Sequence, residues 1–228
     1  PKITVVMVID QFANHYIEKL KPYFKYAFKN LLRKGVVYTN AFHPHAGPST
    51  STGHTALNTG TFAKNHGILS NKWPGIDNEN TKYETDKKTG ISGKKIMADG
   101  LSDQFVLSSK PNKRKKVFCL SLKSRSAVAM ASNLGKAVWF DEINGKFTSS
   151  KAYFSKIPNW ILQFNKEKKI TELKSVKWIP SYSEKSDAYK FDHINNYEFT
   201  RFPFSFRNRS IKIDKSIKEP YELFCKTP

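Results

Sequence analysis

The chain has 228 residues, of which 39% are hydrophobic and 14% aromatic. This composition excludes a disordered chain and allows one large domain with its own core. The formal net charge of +20 favours anionic partners, but outside residues 110–116 the basic residues are scattered, so no specific nucleic-acid interface is predicted. No apolar run approaches the roughly 20 residues that cross a bilayer, so we expect no membrane span.

The first segments alternate between strand-like and helix-like patterns. Residues 2–9 form a β-branched apolar run typical of a strand buried on both faces, and Asp10 ends it. Apolar spacing predicts a helix over residues 15–34, interrupted near Pro22, and residues 36–42 predict a second strand. Strand, helix and strand in this order indicate an α/β fold with a parallel sheet.

The next stretch is less regular. Residues 51–58 predict a short helix closed by Gly60. Residues 71–95 are rich in Gly, Asn, Lys and Thr and predict a long surface excursion, whereas residues 96–107 are amphipathic and predict a helix.

A second α/β stretch follows. Residues 117–122 predict a buried strand in which Cys119 is a small apolar residue, and residues 127–133 predict a short helix. An Asn-Gly pair within residues 137–148 predicts a hairpin with a tight turn of positive φ. Residues 157–164 predict a helix that Pro158 opens, after which the pattern dissolves into loops.

Three polar features follow predicted strands. Asp10 ends the first strand, the segment GPSTSTGH (residues 47–54) joins the second strand to a helix, and Lys123-Ser124-Arg125 follows a third strand. Each feature alone is more often structural: a turn residue, a helix cap and a solvated pair. Because ligands of open α/β sheets bind outside the carboxyl ends of the strands, together they predict an anion site that holds a hydroxyl nucleophile.

The chemistry of this site points to phosphorus without selecting the nucleophile. A hydroxyl needs a base or a metal to activate it, and no Ser-His-Asp arrangement can be argued from the spacing. Asp10 is a hard oxygen ligand suited to a divalent metal. A phosphoryl group is the natural electrophile, since its transfer depends above all on positioning and charge neutralisation. The residues alone leave open which hydroxyl of 49–52 reacts.

Short motifs in a fixed order resemble the alkaline phosphatase superfamily. More narrowly, they resemble the N-terminal half of monomeric bacterial alkaline phosphatases with a threonine nucleophile, which are relatives of the nucleotide pyrophosphatase/phosphodiesterases. The motifs are VIDQ (8–11), TSTGH (50–54), NTGT (58–61), HGI (66–68), NKW (71–73) and KSR (123–125), with the hairpin segment 137–160.

The likeness covers roughly residues 3–165 and implies an α/β fold of alkaline-phosphatase type. It implies a central, mostly parallel sheet flanked by helices, which is incomplete in this chain. Residues 1–228 would be the N-terminal part of one such domain. Its core would comprise residues 1–70 and 96–165, and its insertions or loop-rich parts would be residues 71–95 and 166–228.

The resemblance also assigns roles. The nucleophile of this family lies four positions before the histidine of the Gly-His pair, which selects Thr50 as the nucleophile and as a ligand of the metal that Asp10 also binds. Asn71 would hydrogen-bond a phosphate oxygen, and Lys123 and Arg125 would clamp the remaining oxygens, a pair typical of the monoesterase branch.

Other motif residues receive weaker assignments. His54 and His66 are interpreted as structural or as supporting the site rather than as metal ligands. Ser124 stands where the family commonly has an acidic residue, a difference that leaves the two flanking cations in place but alters their orientation.

The resemblance implies two Zn²⁺ ions. The family's other ligands are an Asp with a His four residues on, an Asp-His pair that follows a buried strand and precedes a glycine-containing loop, and a later His, and none of them is recognised in that setting here. Asp192-His193 is the only such pair and is interpreted as a decoy in a variable loop. We expect a missing C-terminal half or a second chain to complete the metal site. We also expect the 228-residue chain alone to be weakly active or inactive and poorly soluble.

The resulting hypothesis is a metal-dependent phosphate monoester hydrolase that acts through a covalent phosphothreonine and is periplasmic or secreted by resemblance. One alternative is a phosphodiesterase or nucleotide pyrophosphatase of the same superfamily. Another is a non-catalytic polyanion-binding fragment, which the charge of +20 favours.

Overall fold

The computed structural model describes residues 3–43, 47, 49–74, 80–110, 112–113 and 115–167. The described residues form two compact units that divide between Phe42 and His43, and each is treated by itself. Asp192-His193 and the predicted loop-rich segment beyond residue 167 lie outside the described residues. No helix within the described ranges is long and apolar enough to cross a bilayer.

The first unit contains two α-helices with a short break between them. Helix α1 (Asn14–Leu20) leads into a 3₁₀ turn (Lys21–Tyr23) that contains Pro22, and α2 (Tyr26–Lys34) follows. Proline lacks the N–H that an α-helix needs in its interior, so the predicted interruption of the helix is confirmed.

The two apolar segments of the first unit are not strands. Residues 3–9 and 36–42 have no strand structure, and Ile3, Val5 and Met7 are each more than three quarters exposed. The prediction of a strand buried on both faces is therefore wrong for the first segment, and the prediction of a second strand is wrong for residues 36–42. Apolar β-branched composition suits a strand, but a strand exists only when a neighbouring backbone completes its hydrogen-bond ladder.

The second unit contains the remaining elements. In chain order they are α3 (Thr50–Thr59), α4 (Ala63–His66), β1 (Lys72–Pro74), β2 (Asn80–Lys82), β3 (Thr85–Asp86), β4 (Gly90–Ile91), α5 (Leu101–Leu107), β5 (Phe118–Ser121), α6 (Ser124–Ala131), β6 (Lys136–Asp141), β7 (Lys146–Thr148) and α7 (Asn159–Lys166).

A three-stranded sheet forms the centre of this unit. Strands β5 and β6 are parallel, with Cys119 opposite Ala137, and α6 is the crossover helix between them. Strand β7 pairs antiparallel with β6. This βαβ unit confirms the α/β prediction, and the described sheet is mixed.

Strand β5 is less buried than predicted. Its side chains alternate, with Phe118 and Leu120 exposed and Cys119 and Ser121 half-buried. This alternation is that of a strand covered on one face, since side chains of a strand point in turn to opposite faces. The predicted strand is thus confirmed, but the prediction that it is buried is wrong for its exposed face.

The predicted hairpin forms with a longer turn than expected. Strands β6 and β7 flank residues 142–145, and in this loop Gly145 alone has a positive φ, of 63°. The Asp141 side chain accepts a hydrogen bond from the backbone N–H of Ile143 at 3.0 Å and stabilises the loop.

Small residues let helices and sheet pack closely in the core. Ala127, Val128 and Ala129 of α6 are fully buried, together with Tyr83 and Trp139. Residues 71–95, predicted as a surface excursion, form two short hairpins (β1–β2 and β3–β4), and the link between them carries the buried Tyr83 and Glu84 into this core.

Candidate functional site

Helix α3 begins within the GPSTSTGH segment. Ser49 is the N-cap residue with extended backbone, and Thr50 is the first helical residue. The Ser49 side chain makes no capping bond to the helix backbone; its hydroxyl lies 3.1 Å from that of Thr52. Thr50 is half-buried at the N-terminal end of the helix, where the helix dipole favours an anion.

The cap of α3 comes from a residue distant in sequence. The Asn71 side-chain oxygen accepts hydrogen bonds from the backbone N–H of Ser51 at 2.9 Å and from its hydroxyl at 2.7 Å. A backbone N–H can only donate, so the side-chain amide is oriented with its oxygen toward the helix. Two predicted site residues, Thr50 and Asn71, therefore meet at one helix N-terminus.

His54 supports the same turn of α3. Its Nδ1 lies 2.8 Å from the carbonyl oxygen of Thr50 and the residue is buried. Because a carbonyl only accepts, Nδ1 carries the proton of this bond. The imidazole thus holds the backbone of Thr50. Such a contact fits the interpretation of His54 as a structural or supporting residue rather than a metal ligand.

Lys123 and Arg125 lie together at the start of α6. Lys123 is the N-cap residue, and its ammonium group forms an ion pair with the Glu142 carboxylate. Arg125 is half-buried in the first turn, where its carbonyl oxygen accepts a hydrogen bond from the Tyr83 hydroxyl at 2.7 Å. Both cations border a cavity of about 830 Å³.

The cavity is mainly basic. Three further lysines line it, and the two acidic residues in its wall are Asp141, which binds the turn after β6, and Glu142, which pairs with Lys123. The cationic residues of the lining are Lys82, Lys88, Lys123, Arg125 and Lys151. Such a surface attracts anions, since the field of clustered like charges raises the local anion concentration.

Two residues that sequence reasoning missed lie between these segments. Tyr83 and Glu84 are each only 1% exposed, and Glu84 accepts a hydrogen bond from the Ser124 hydroxyl at 2.9 Å. Burial raises the pKa of Tyr83 well above its ordinary value, and the neighbouring Glu84 carboxylate adds to the rise. The sequence around Glu84 shows only an acidic residue between Tyr83 and Thr85, a pattern that matches no known motif and so did not mark either residue as functional.

Asp10 lies in the first unit, in the turn before α1. Thr50, Asn71, Lys123 and Arg125 all belong to the second unit. Within the ranges that the structure describes, no three His, Cys, Asp or Glu side chains gather as a metal-binding group. The described residues thus do not supply the ligand set that a tightly held zinc ion requires.

The comparison with known protein families decides the assignment of the chain. The profile of the type I phosphodiesterase / nucleotide pyrophosphatase family matches residues 4–217. The chain belongs to this family.

Individual relatives agree with the family. Alkaline phosphatase PhoV of Synechococcus elongatus is 27% identical, with 93% of this chain and 42% of the relative covered. Alkaline phosphatase PafA of Elizabethkingia meningoseptica is 30% identical, with 82% and 37% covered. The chain therefore spans less than half the length of these curated relatives.

Solved structures agree on the fold. The crystal structure of wild-type PafA superimposes with a TM-score of 0.68 at 25% identity, over 74% of this chain and 35% of that chain. A PafA variant with four substitutions superimposes with a TM-score of 0.72 at 23% identity, over 77% and 36%. Family, relatives and fold confirm the resemblance to the alkaline phosphatase superfamily.

Proposed function

We propose that this chain carries the nucleophile and the phosphate-binding residues of a phosphate monoester hydrolase that acts through a covalent phosphothreonine on Thr50. The observation that carries the proposal is the pair of hydrogen bonds from Ser51 to Asn71, at 2.9 and 2.7 Å. They bring an amide donor to the helix end at which Thr50 stands.

The start of α3 suits a phosphoryl group. Helix N-terminal N–H groups and the helix dipole favour the charge of the equatorial phosphate oxygens. The Asn71 oxygen faces the helix, which leaves its NH₂ group as the donor for a phosphate oxygen. In this proposal the Thr50 hydroxyl attacks phosphorus, the leaving group departs with the ester oxygen, and water later releases phosphate from the threonine.

Lys123 and Arg125 complete the proposed phosphate site. Arginine binds two phosphate oxygens with its planar fork, whereas lysine acts as a compact charge. In the structure Lys123 forms an ion pair with Glu142. The side chain of Lys123 is 51% exposed and that of Glu142 is 40% exposed. Exposed ion pairs are worth only about 0–1 kcal/mol, so a phosphate dianion competes readily for the lysine.

The substituted PafA supports the choice of residues. That variant carries substitutions at a threonine, an asparagine, a lysine and an arginine. Its threonine and asparagine have the same sequence separation as Thr50 and Asn71, and its lysine and arginine flank a single residue, as Lys123 and Arg125 do.

Two Zn²⁺ ions, with Asp10 and Thr50 among their ligands, belong to the proposal by resemblance. The described residues hold no metal-binding group of three side chains, so the proposal requires further ligands from outside them, such as those of a second chain. A periplasmic or secreted location is likewise part of the proposal by resemblance to the superfamily.

The decisive experiment traps the phosphoenzyme. A preparation that turns over a phosphate monoester is quenched in acid, and tandem mass spectrometry locates the covalent phosphate. We expect it on Thr50, lost in Thr50→Ala. Thr59→Ala is the matched control, because Thr59 is the last residue of the same helix and its hydroxyl bonds a backbone carbonyl at 2.8 Å. Phosphate on Ser49 or Ser51, or turnover by Thr50→Ala, would contradict the proposal.

The second candidate is a phosphodiesterase, which the family profile itself favours. Rates on p-nitrophenyl phosphate and bis-p-nitrophenyl phosphate discriminate the two. A monoesterase prefers the first substrate and loses that preference in Lys123→Ala, because the lysine neutralises charge that only the monoester dianion carries. Preference for the diester in the unmodified protein would favour the phosphodiesterase.

A further inference from the structure

Glu84 is an acidic residue buried beside the proposed phosphate site. It is 1% exposed, and one carboxylate oxygen accepts the Ser124 hydroxyl at 2.9 Å. The other oxygen has no hydrogen-bond partner among the described residues. Burying a carboxylate with an unsatisfied oxygen costs free energy, so the burial of Glu84 against Ser124 needs a physical explanation.

The neighbouring Tyr83 binds both segments that carry the proposed phosphate-binding residues. Its backbone N–H donates to the carbonyl oxygen of Asn71 at 3.2 Å, and its hydroxyl donates to that of Arg125 at 2.7 Å. The dipeptide itself is fixed by a hydrogen bond from the Ser92 N–H to the Glu84 carbonyl at 2.9 Å. A single buried dipeptide therefore joins the Asn71 segment to the start of α6.

We propose that Glu84 is a positioning residue that acts through Ser124 to set the directions of Lys123 and Arg125; this rests on the proposed function. Ser124 is the first residue of α6 and lies between the two cations in the chain. Anchoring its hydroxyl to a buried carboxylate fixes the rotation of the first helical turn. The carboxylate also lies near the N-terminus of α6, where the helix dipole stabilises negative charge.

The test measures binding of inorganic phosphate to the full chain by ³¹P NMR. Ser124→Ala, which removes the hydroxyl, is expected to weaken phosphate affinity by roughly tenfold, less than the full worth of a hydrogen bond to a charged group, because the bond acts on phosphate only through the two cations. Glu84→Gln keeps an acceptor oxygen but loses the charge, so it is expected to weaken phosphate affinity by a smaller factor. The double variant is expected to be no weaker than Ser124→Ala alone, because both changes act on the same contact: Ser124→Ala removes its donor, and Glu84→Gln removes the charge that strengthens it. Ser124→Thr, which keeps the hydroxyl, is expected to bind like the unmodified protein.

Asp103→Asn is the matched control for a merely structural acid. Asp103 is equally buried, and it accepts hydrogen bonds from the backbone N–H of Gly100 at 3.0 Å, at the start of α5, and from that of Leu134 at 2.7 Å, beyond the C-terminal end of α6. This variant should lower Tm and leave phosphate affinity unchanged. If Glu84→Gln does not fold, the comparison of Ser124→Ala with Ser124→Thr decides.

The outcomes separate the two proposals. If Lys123→Ala and Arg125→Ala weaken phosphate binding but Glu84→Gln and Ser124→Ala do not, the positioning role of Glu84 is overturned and the proposed function stands. If the unmodified chain does not bind phosphate, or the two cation variants leave its affinity unchanged, the proposed function fails and the positioning role falls with it.

Discussion

At the scale of single residues, Asn71 has two tasks that use different atoms. Its side-chain oxygen caps α3 through Ser51, and its NH₂ group is the proposed phosphate donor. The substitution Asn71→Asp separates these tasks, because it keeps the side-chain oxygen but replaces the NH₂ group with a charged oxygen. Stability depends on the oxygen as an acceptor, whereas phosphate affinity depends on the NH₂ group as a donor.

We therefore expect Asn71→Ala to lower the free energy of unfolding by about 1 kcal/mol, the cost of a lost cap, and to weaken phosphate binding. Asn71→Asp should keep most of the stability, yet weaken phosphate binding at least as much, since a carboxylate repels the anion. Urea unfolding and ³¹P NMR measure the two effects. Equal loss of stability in both variants would show that the oxygen does not cap the helix.

Cys119 is a second residue whose environment sets a measurable property. It packs against the core cluster, and burial raises its thiol pKa from 9.0 to about 11. The reactive thiolate is then about 100 times scarcer at pH 8 than for a thiol of pKa 9. A thiolate of higher pKa is a better nucleophile, which offsets part of this scarcity, so we expect iodoacetamide to alkylate Cys119 at least about tenfold more slowly in the folded chain than in urea, as measured by peptide mass spectrometry. Similar rates in both states would refute the burial.

At the scale of elements, the β3–β4 hairpin depends on Asp86. One carboxylate oxygen accepts the Lys88 N–H at 2.8 Å, and the other accepts the Thr89 and Ser92 hydroxyls at 3.1 and 3.3 Å. The Lys88 hydrogen bond is the main cause that lowers the pKa of Asp86 below 3.8. This hairpin contributes Lys88 to the basic cavity that Lys123 and Arg125 also line, so its turn affects the shape of that cavity.

The sign of the pH effect follows from the lowered pKa. The turn is stabilised at pH values above the unfolded pKa of about 4, and the stabilisation is lost as the pH falls through the lower folded pKa. We expect the Lys88 amide resonance in NMR spectra to titrate with a midpoint below 3.8. Asp86→Asn should abolish that titration. A midpoint above the ordinary carboxyl value would contradict the assigned bonds.

At the scale of the whole molecule, the net charge of +20 attracts anions in general. Binding of phosphate at a specific site must therefore be distinguished from this general attraction. A site with two cations, Lys123 and Arg125, should respond weakly to salt, whereas scattered lysines that bind a polyanion release many counterions.

Between 50 and 500 mM KCl we expect the affinity for inorganic phosphate to fall by roughly tenfold at most, and that for long-chain polyphosphate to fall far more. Fluorescence anisotropy with labelled polyphosphate and ³¹P NMR with phosphate measure how steeply each affinity falls with salt concentration, which gives one slope for each ligand. If Arg125→Ala changes neither slope, and phosphate binding is as salt-sensitive as polyphosphate binding, the chain is a polyanion-binding module rather than part of a phosphatase.

Prediction from sequence succeeded where the cause was local. Pro22 interrupts a helix by its own ring, Gly60 ends α3 with φ of 65°, and Gly145 supplies the positive φ of the β6–β7 loop. The order of the short motifs can likewise be recognised without a structure. It indicated the superfamily, and the family profile that matches residues 4–217 agrees with it.

Tertiary structure alone decided how those motifs are held. Asn71 reaches the start of α3 from a distant loop, Glu84 anchors Ser124, and Glu142 pairs with Lys123. Each is a single contact between residues far apart in sequence, and no local pattern encodes such a partner. The same reason explains the apolar residues 3–9: their composition determined that they could form a strand, but only a paired neighbouring backbone decides that they do.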